Sequence, residues 1–201
     1  MRIVYRRADV LNQIWESAEK IKKFYGADLD KVILVIILNG GLFYGSRLAK
    51  LLNIPDEKIL YMEVGSYDGE LQGQIRIIKD IPLEFTTGKK LLIVEDILDT
   101  RKTMKFILND LNTNKNPESV HVTSLFDKTI KIEAGLEWII SEFGSLKITE
   151  DLWLGCCGMD FDFLEESRDF ETLLAKEKSD DLKSPEKIKK EALNLIRGPN
   201  A

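Results

Sequence analysis

Apolar residues recur at helical spacing over residues 9–24, at Val10, Leu11, Ile14, Trp15, Ala18, Ile21 and Phe24, with Asp9 placed as an N-cap. The pattern changes at residues 32–38, a continuous apolar run rich in β-branched side chains, which predicts a strand covered on both faces. Gly40-Gly41 breaks that strand, and residues 42–52 return to helical spacing. Residues 58–64 predict a second strand, 65–74 a polar glycine-bearing stretch, and 75–79 a short strand. A turn at Thr87-Gly88 leads into a strand at 90–94, then a helix over 102–111 and a strand at 120–126. Residues 138–143 and 152–156 read as two more strands.

Strands alternating with helices indicate an α/β domain with a mainly parallel sheet. Ligands of such sheets bind beyond the C-terminal strand ends. The loops that draw notice here all follow strands: Asn39-Gly40-Gly41, residues 96–103, and Asp127-Lys128. From residue 176 the chain is dense in charge. Residues 176–183 read as a linker and 185–197 as a short helix between Ser184-Pro185 and Gly198-Pro199, docked on the body or on another subunit.

Composition narrows the classes. A chain of 201 residues with 44% hydrophobic and 31% charged residues suits one soluble domain with a small appendage. The net charge of -5 argues against a general nucleic-acid binder. No apolar run approaches the roughly 18 residues that span a bilayer, and the first residues lack a secretory pattern, so the chain reads as cytoplasmic. Cys156 and Cys157 are adjacent and read as two small residues packed on a buried strand. With the single histidine His121 they make a zinc site or a Ser-His-Asp mechanism a poor fit.

Chemistry concentrates where Leu91-Leu92-Ile93-Val94 runs into Glu95-Asp96. Two carboxylates at the end of an apolar strand are costly if buried alone, so they face solvent, a cation or hydroxyl groups. Next come Asp99, Thr100, Arg101, Lys102 and Thr103 at a helix start, where free N–H groups, hydroxyls and positive charge favour a phosphate. One segment thus has an acidic half and an anion-binding half, the polarity of a sugar phosphate. The plainer alternative is a solvated acidic loop.

Residues 94–103, Val-Glu-Asp-Ile-Leu-Asp-Thr-Arg-Lys-Thr, resemble the phosphoribosyl-pyrophosphate motif of type I phosphoribosyltransferases, most of all the hypoxanthine-guanine (6-oxopurine) branch. The likeness runs over residues 30–170. Asn39-Gly40-Gly41 resembles the pyrophosphate loop, Ser66-Tyr67 the mobile loop, Leu125-Phe126-Asp127-Lys128 the base-reading segment, and Trp153 to Asp160 the hood. The resemblance implies a twisted, mainly parallel sheet flanked by helices, with a hood formed by the N-terminal and 150–175 segments of a domain spanning 1–175. It implies purine salvage from phosphoribosyl pyrophosphate with Mg2+, in a homodimer or homotetramer. Glu95 and Asp96 would hold the ribose hydroxyls and metal, joined by Asp160. Asp99 would act as base at purine N7, and Thr100, Arg101, Lys102 and Thr103 would bind the 5′-phosphate. Asn39, Gly40, Gly41, Ser66, Tyr67 and Arg168 would meet pyrophosphate. Lys128, Trp153 and Leu154 would meet the base.

Arg101 stands where the family motif has glycine. An arginine there either forces another backbone angle or adds a second cation for the phosphate. The second function class, a binding or regulatory protein on the same fold, follows if that position marks lost chemistry.

Overall fold

The computed structural model describes residues 1–66, 74–160, 168, 170–176 and 184–197. Its elements in chain order are β1 (Arg2–Tyr5), α1 (Arg7–Tyr25), β2 (Val32–Leu38), α2 (Leu42–Leu52), β3 (Ile59–Ser66), β4 (Ile75–Lys79), β5 (Lys90–Leu98), α3 (Lys102–Asp110), β6 (Ser119–Lys128), β7 (Leu146–Ile148), β8 (Trp153–Gly155), β9 (Leu173–Lys176) and α4 (Pro185–Arg197).

Six strands form the main sheet in the order β4-β3-β2-β5-β6-β7, parallel except where β4 returns antiparallel to β3. The alternating directions of strand side chains explain the continuous apolar run of β2. Val32, Leu34 and Ile36 join one core with α1 and α2, while Ile33, Val35 and Ile37 join the other with α3. Leu92 and Val94 of β5 face the first core, and Leu91 and Ile93 the second.

Three predicted elements differ in bounds or kind. Helix α1 begins two residues earlier than its apolar repeat, so Asp9 sits in its first turn and its carboxylate accepts the Arg6 N–H at 3.0 Å. Residues 138–143 are not a strand. Ser141 Oγ accepts the Ser124 N–H at 2.9 Å and a Glu142 carboxylate oxygen the Val122 N–H at 2.9 Å, so side chains take the places on β6 that a neighbouring strand would fill. Pairing with β6 is instead made by β7, opposite Phe126, Asp127 and Lys128. Finally, Lys176 ends a strand rather than opening a linker.

A second sheet, β1-β9-β8, is antiparallel throughout and stands apart in sequence from the main one. Helix α4 docks on the body: Ala192 packs with Cys156 and Leu174, joined by Ile3 and Phe170. Cys156 and Cys157 lie in the turn after β8 rather than on a strand, both fully buried, and burial pushes the Cys156 thiol up to about 12. His121 pairs through Nδ1 with Glu142 at 2.6 Å and packs edge-on against Phe24, a role in packing rather than in a nucleophilic triad.

Candidate active site

Strand β5 extends past Val94 to Leu98, so Glu95 and Asp96 are carried on the sheet and not on a free loop. Glu95 lies opposite Ser124, and Leu98 opposite Asp127. Each carboxylate residue is only 9% exposed. The Asp96 N–H donates to Glu95 Oε1 at 3.1 Å, and the Ile97 N–H to Asp96 Oδ1 at 2.7 Å. Burial raises the Glu95 carboxyl well above the usual range, and the charge of Asp96 adds to the effect. Burial also raises Asp96, opposed by a hydrogen bond from Glu95 and by the charge of Arg168. The pair therefore holds a proton more readily than an exposed carboxylate does. Hydroxyl donors or a cation entering the adjoining cavity, about 300 Å3, would relieve that cost.

The same cavity is lined by Asp99, Thr100 and Thr103 at the start of α3. The first N–H groups of a helix have no partner within it, so an anion placed there meets backbone donors and two hydroxyls. The Lys102 ammonium goes elsewhere, to Glu133 at 2.7 Å, which leaves its backbone N–H as its contribution to the turn. Arg101 corrects the expectation of a second cation for a phosphate. Its backbone is left-handed, at φ 72°, and its guanidinium is buried against Asp127 and the carbonyls of Leu98, Asp99 and Ile139.

Strand β6 continues to Lys128, whose Nζ lies 2.9 Å from Asp99 Oδ2. Lys128 is 8% exposed, so it is no surface lysine. Asn39 follows a cis peptide after Leu38 and leads into Gly40 and Gly41. A Cβ on Gly40 would sit 2.0 Å from Asp96 Oδ2, and one on Gly41 would sit 2.6 Å from the Ile37 carbonyl and 2.7 Å from that of Val94. These glycines are required by close approach to β5. Since the atoms against Gly41 are buried backbone, Gly41→Ala is expected to destabilise the chain by about 1–3 kcal/mol, read as a lowered melting temperature, with parallel loss of any activity. An unshifted melting curve would contradict the packing described.

From the second sheet, Gly158 brings its Cα against this loop: a Cβ there would lie 2.1 Å from the Gly40 carbonyl oxygen. The Arg168 guanidinium donates to the Gly158 carbonyl at 2.6 Å and pairs with Asp160 at 3.1 Å. Through its charge on Asp96, Arg168 joins the same group of residues. Trp153 is 63% exposed on β8, so its ring is not part of the core. Leu154 is buried in the core, so its side chain is not open to a ligand. Ser66 ends β3, and Tyr67 lies outside the described residues. Sequence reasoning singled out the Asp127-Lys128 loop but not the pairing of Asp127 with Arg101, and it missed Glu133 and Ile139 as partners of the site. A carboxylate directly after the apolar Leu125-Phe126 was the available signal, since such a group needs a cation when buried.

The phosphoribosyl transferase domain family matches residues 9–146. The chain is 34% identical over 130 residues to the hypoxanthine-guanine-xanthine phosphoribosyltransferase of Tritrichomonas foetus, covering 64% of this chain and 68% of that protein. It is 30% identical over 163 residues to the hypoxanthine-guanine phosphoribosyltransferase of Mycobacterium tuberculosis, covering 80% and 76%. A solved hypoxanthine phosphoribosyltransferase from Staphylococcus aureus matches with a TM-score of 0.73 at 25% identity, over 92% of this chain and 94% of that one.

Proposed function

We propose, because this chain belongs to the hypoxanthine-guanine phosphoribosyltransferase family, that it joins a 6-oxopurine to the ribose of phosphoribosyl pyrophosphate and releases pyrophosphate. The observation that carries the reading is the Asp99–Lys128 pair, 2.9 Å apart beside the cavity of the acidic pair. An acceptor and a donor at that spacing suit the adjacent N7 and O6 of such a base.

In this reading the bond from C1 of ribose to pyrophosphate breaks as the purine nitrogen bonds to C1. Positive charge develops on the sugar, as in glycoside cleavage. Glu95 and Asp96 accept hydrogen bonds from the ribose hydroxyls and place negative charge beside that cation. Thr100 and Thr103, with the N–H groups of residues 101–103, hold the 5′-phosphate. Asp99 takes or shares the proton at N7, while Lys128 donates to O6. Asn39, Gly40, Gly41, Ser66, Tyr67 and Arg168 surround the pyrophosphate, and Trp153 stacks on the base beside the Leu154 backbone.

Mg2+ suits this donor set, since the ion is usually held by one or two carboxylates together with substrate phosphates. Glu95 and Asp96 together, and Asp160 separately, would offer it carboxylate oxygens, since among the described residues no cluster of three His, Cys, Asp or Glu side chains forms a ready-made protein cage. The chemistry it supplies when bound is neutralisation of the leaving pyrophosphate. The alternative of a non-catalytic binder loses its motive, because the Arg101 guanidinium has buried partners of its own. We further read the protein as cytoplasmic and as a homodimer or homotetramer, with a transferase domain followed by an appendage that starts after Lys176. Among the described residues no helix is long and apolar enough to cross a membrane.

The deciding experiment mixes the chain with phosphoribosyl pyrophosphate, Mg2+ and, in turn, hypoxanthine, guanine, xanthine and adenine. The 5′-monophosphates of oxopurines are the expected products, and Lys128→Met should narrow the preference over adenine by about tenfold or more, the scale of one lost polar contact. Folded protein that yields no nucleotide at high concentration would end the transferase reading.

A further inference from the structure

Arg101 combines a backbone conformation that glycine adopts freely with a side chain that glycine lacks. Its φ of 72° and ψ of -4° are left-handed, where a Cβ is strained. The side chain compensates by making a fork of contacts: Nε donates to the Ile139 carbonyl at 3.1 Å, Nη1 to those of Leu98 at 2.8 Å and Asp99 at 2.6 Å, and Nη2 pairs with Asp127 Oδ1. Asp127 is 2% exposed and holds Lys147 on its other oxygen at 2.6 Å. The next residue is Lys128, which returns to the Asp99 carboxylate. The contacts therefore close a ring, from the Asp99 carbonyl through Arg101 and Asp127 to Lys128 and back to the Asp99 side chain.

We infer that Arg101 and Asp127 are a positioning pair, which braces the phosphate turn against β6 and sets Asp99 relative to Lys128. The inference rests on the transferase reading and adds to it a device by which this chain does without the glycine. Neither residue touches substrate through its side chain. Their effect is on the alignment of amides 100–103 with a phosphate and of Asp99 with a base. A planar guanidinium suits the task, since it reaches several carbonyls and a carboxylate at once, which a lysine ammonium does not.

The test uses the full chain with Arg101→Lys, Arg101→Gly, Asp127→Asn and the double variant Arg101→Gly/Asp127→Asn. Affinity for ribose 5-phosphate is measured by calorimetry, alongside melting temperature and steady-state kinetics with hypoxanthine. Arg101→Lys keeps a cation for Asp127 but loses the fork to the carbonyls. It should melt within a few degrees of the parent yet bind ribose 5-phosphate more weakly by tenfold to a hundredfold, the order of cost of a small misplacement, with a matching rise in KM for phosphoribosyl pyrophosphate. The double variant removes both buried charges together, so it should fold even where Arg101→Gly does not. Its affinity loss should equal that of either folded single variant rather than the product of the two.

Parental affinity and turnover in Arg101→Lys or in the double variant would overturn the positioning role while leaving the transferase intact. Losses that vanish once each variant is assayed well below its melting temperature would also overturn it. A parent chain that neither binds ribose 5-phosphate nor forms nucleotide would remove the transferase reading, and this inference with it.

Discussion

Asp99→Asn is expected to lower kcat with hypoxanthine by roughly 10²–10⁴-fold, the usual contribution of a positioned acid–base group. Asparagine keeps the shape of the side chain but removes its basicity and its charge toward Lys128, 2.9 Å away. The 5′-phosphate and ribose are held by other groups in the proposed arrangement, so KM for phosphoribosyl pyrophosphate should move by no more than about threefold, well under one full hydrogen bond. The Asp99 side chain is 48% exposed, so the variant should melt close to the parent, as surface substitutions do. Steady-state kinetics with both substrates varied supply the check. A loss confined to KM would mean that Asp99 binds rather than reacts, and an unchanged kcat would remove it from the chemistry.

Glu95→Gln should separate stability from activity. The folded chain holds a proton on Glu95 well above the ordinary carboxylate value of 4.5, chiefly because the group is buried. Between that value and the raised one, the folded state binds more protons than the unfolded state. Stability of the unliganded chain therefore falls as pH rises through this window and levels off above it. Glutamine cannot ionise. The variant should thus melt a few degrees higher than the parent above the window, with the gap closing as pH approaches the ordinary value. Its kcat/KM should nevertheless fall by about 10²–10³-fold, the scale of losing one group aimed at transition-state charge. Melting curves across pH, measured without substrate, and kinetics at one neutral pH make the comparison. A variant less stable than the parent at every pH would contradict the electrostatic account. A variant of undiminished activity would contradict the proposed use of the carboxylate.

The main sheet was legible because its two central strands, β2 and β5, carry continuous apolar runs whose alternate residues enter both cores. The acidic pair was legible for a related reason: charges following Leu91-Leu92-Ile93-Val94 break a strong pattern. Strand β1 escaped notice because its four residues begin with Arg2, run into Arg6 and Arg7, and are only half buried. Strand β7, with three residues, is too short to carry a period. The run at 138–143 misled because Ile139 and Phe143 are buried while Trp138 and Ile140 are exposed, and an irregular segment lying over a sheet can produce such a mixture. The Arg101 side chain was out of reach for a different reason. Its choice between phosphate and protein depends on Asp127, which is 26 residues away in the chain and is placed beside it by the pairing of β5 with β6.

The three-stranded sheet has a consequence for biosynthesis. Its central strand, β9, pairs with β1 through Arg2 and Ala175 and with β8 through Trp153 and Lys176. Strand β1 must therefore wait, unpaired, until β9 has been made, while the parallel sheet between them has everything it needs sooner. Contacts of such long sequence separation form late. A nascent chain arrested before residue 173 would have the strands of the main sheet in hand while β1 and β8 still lacked the strand that joins them.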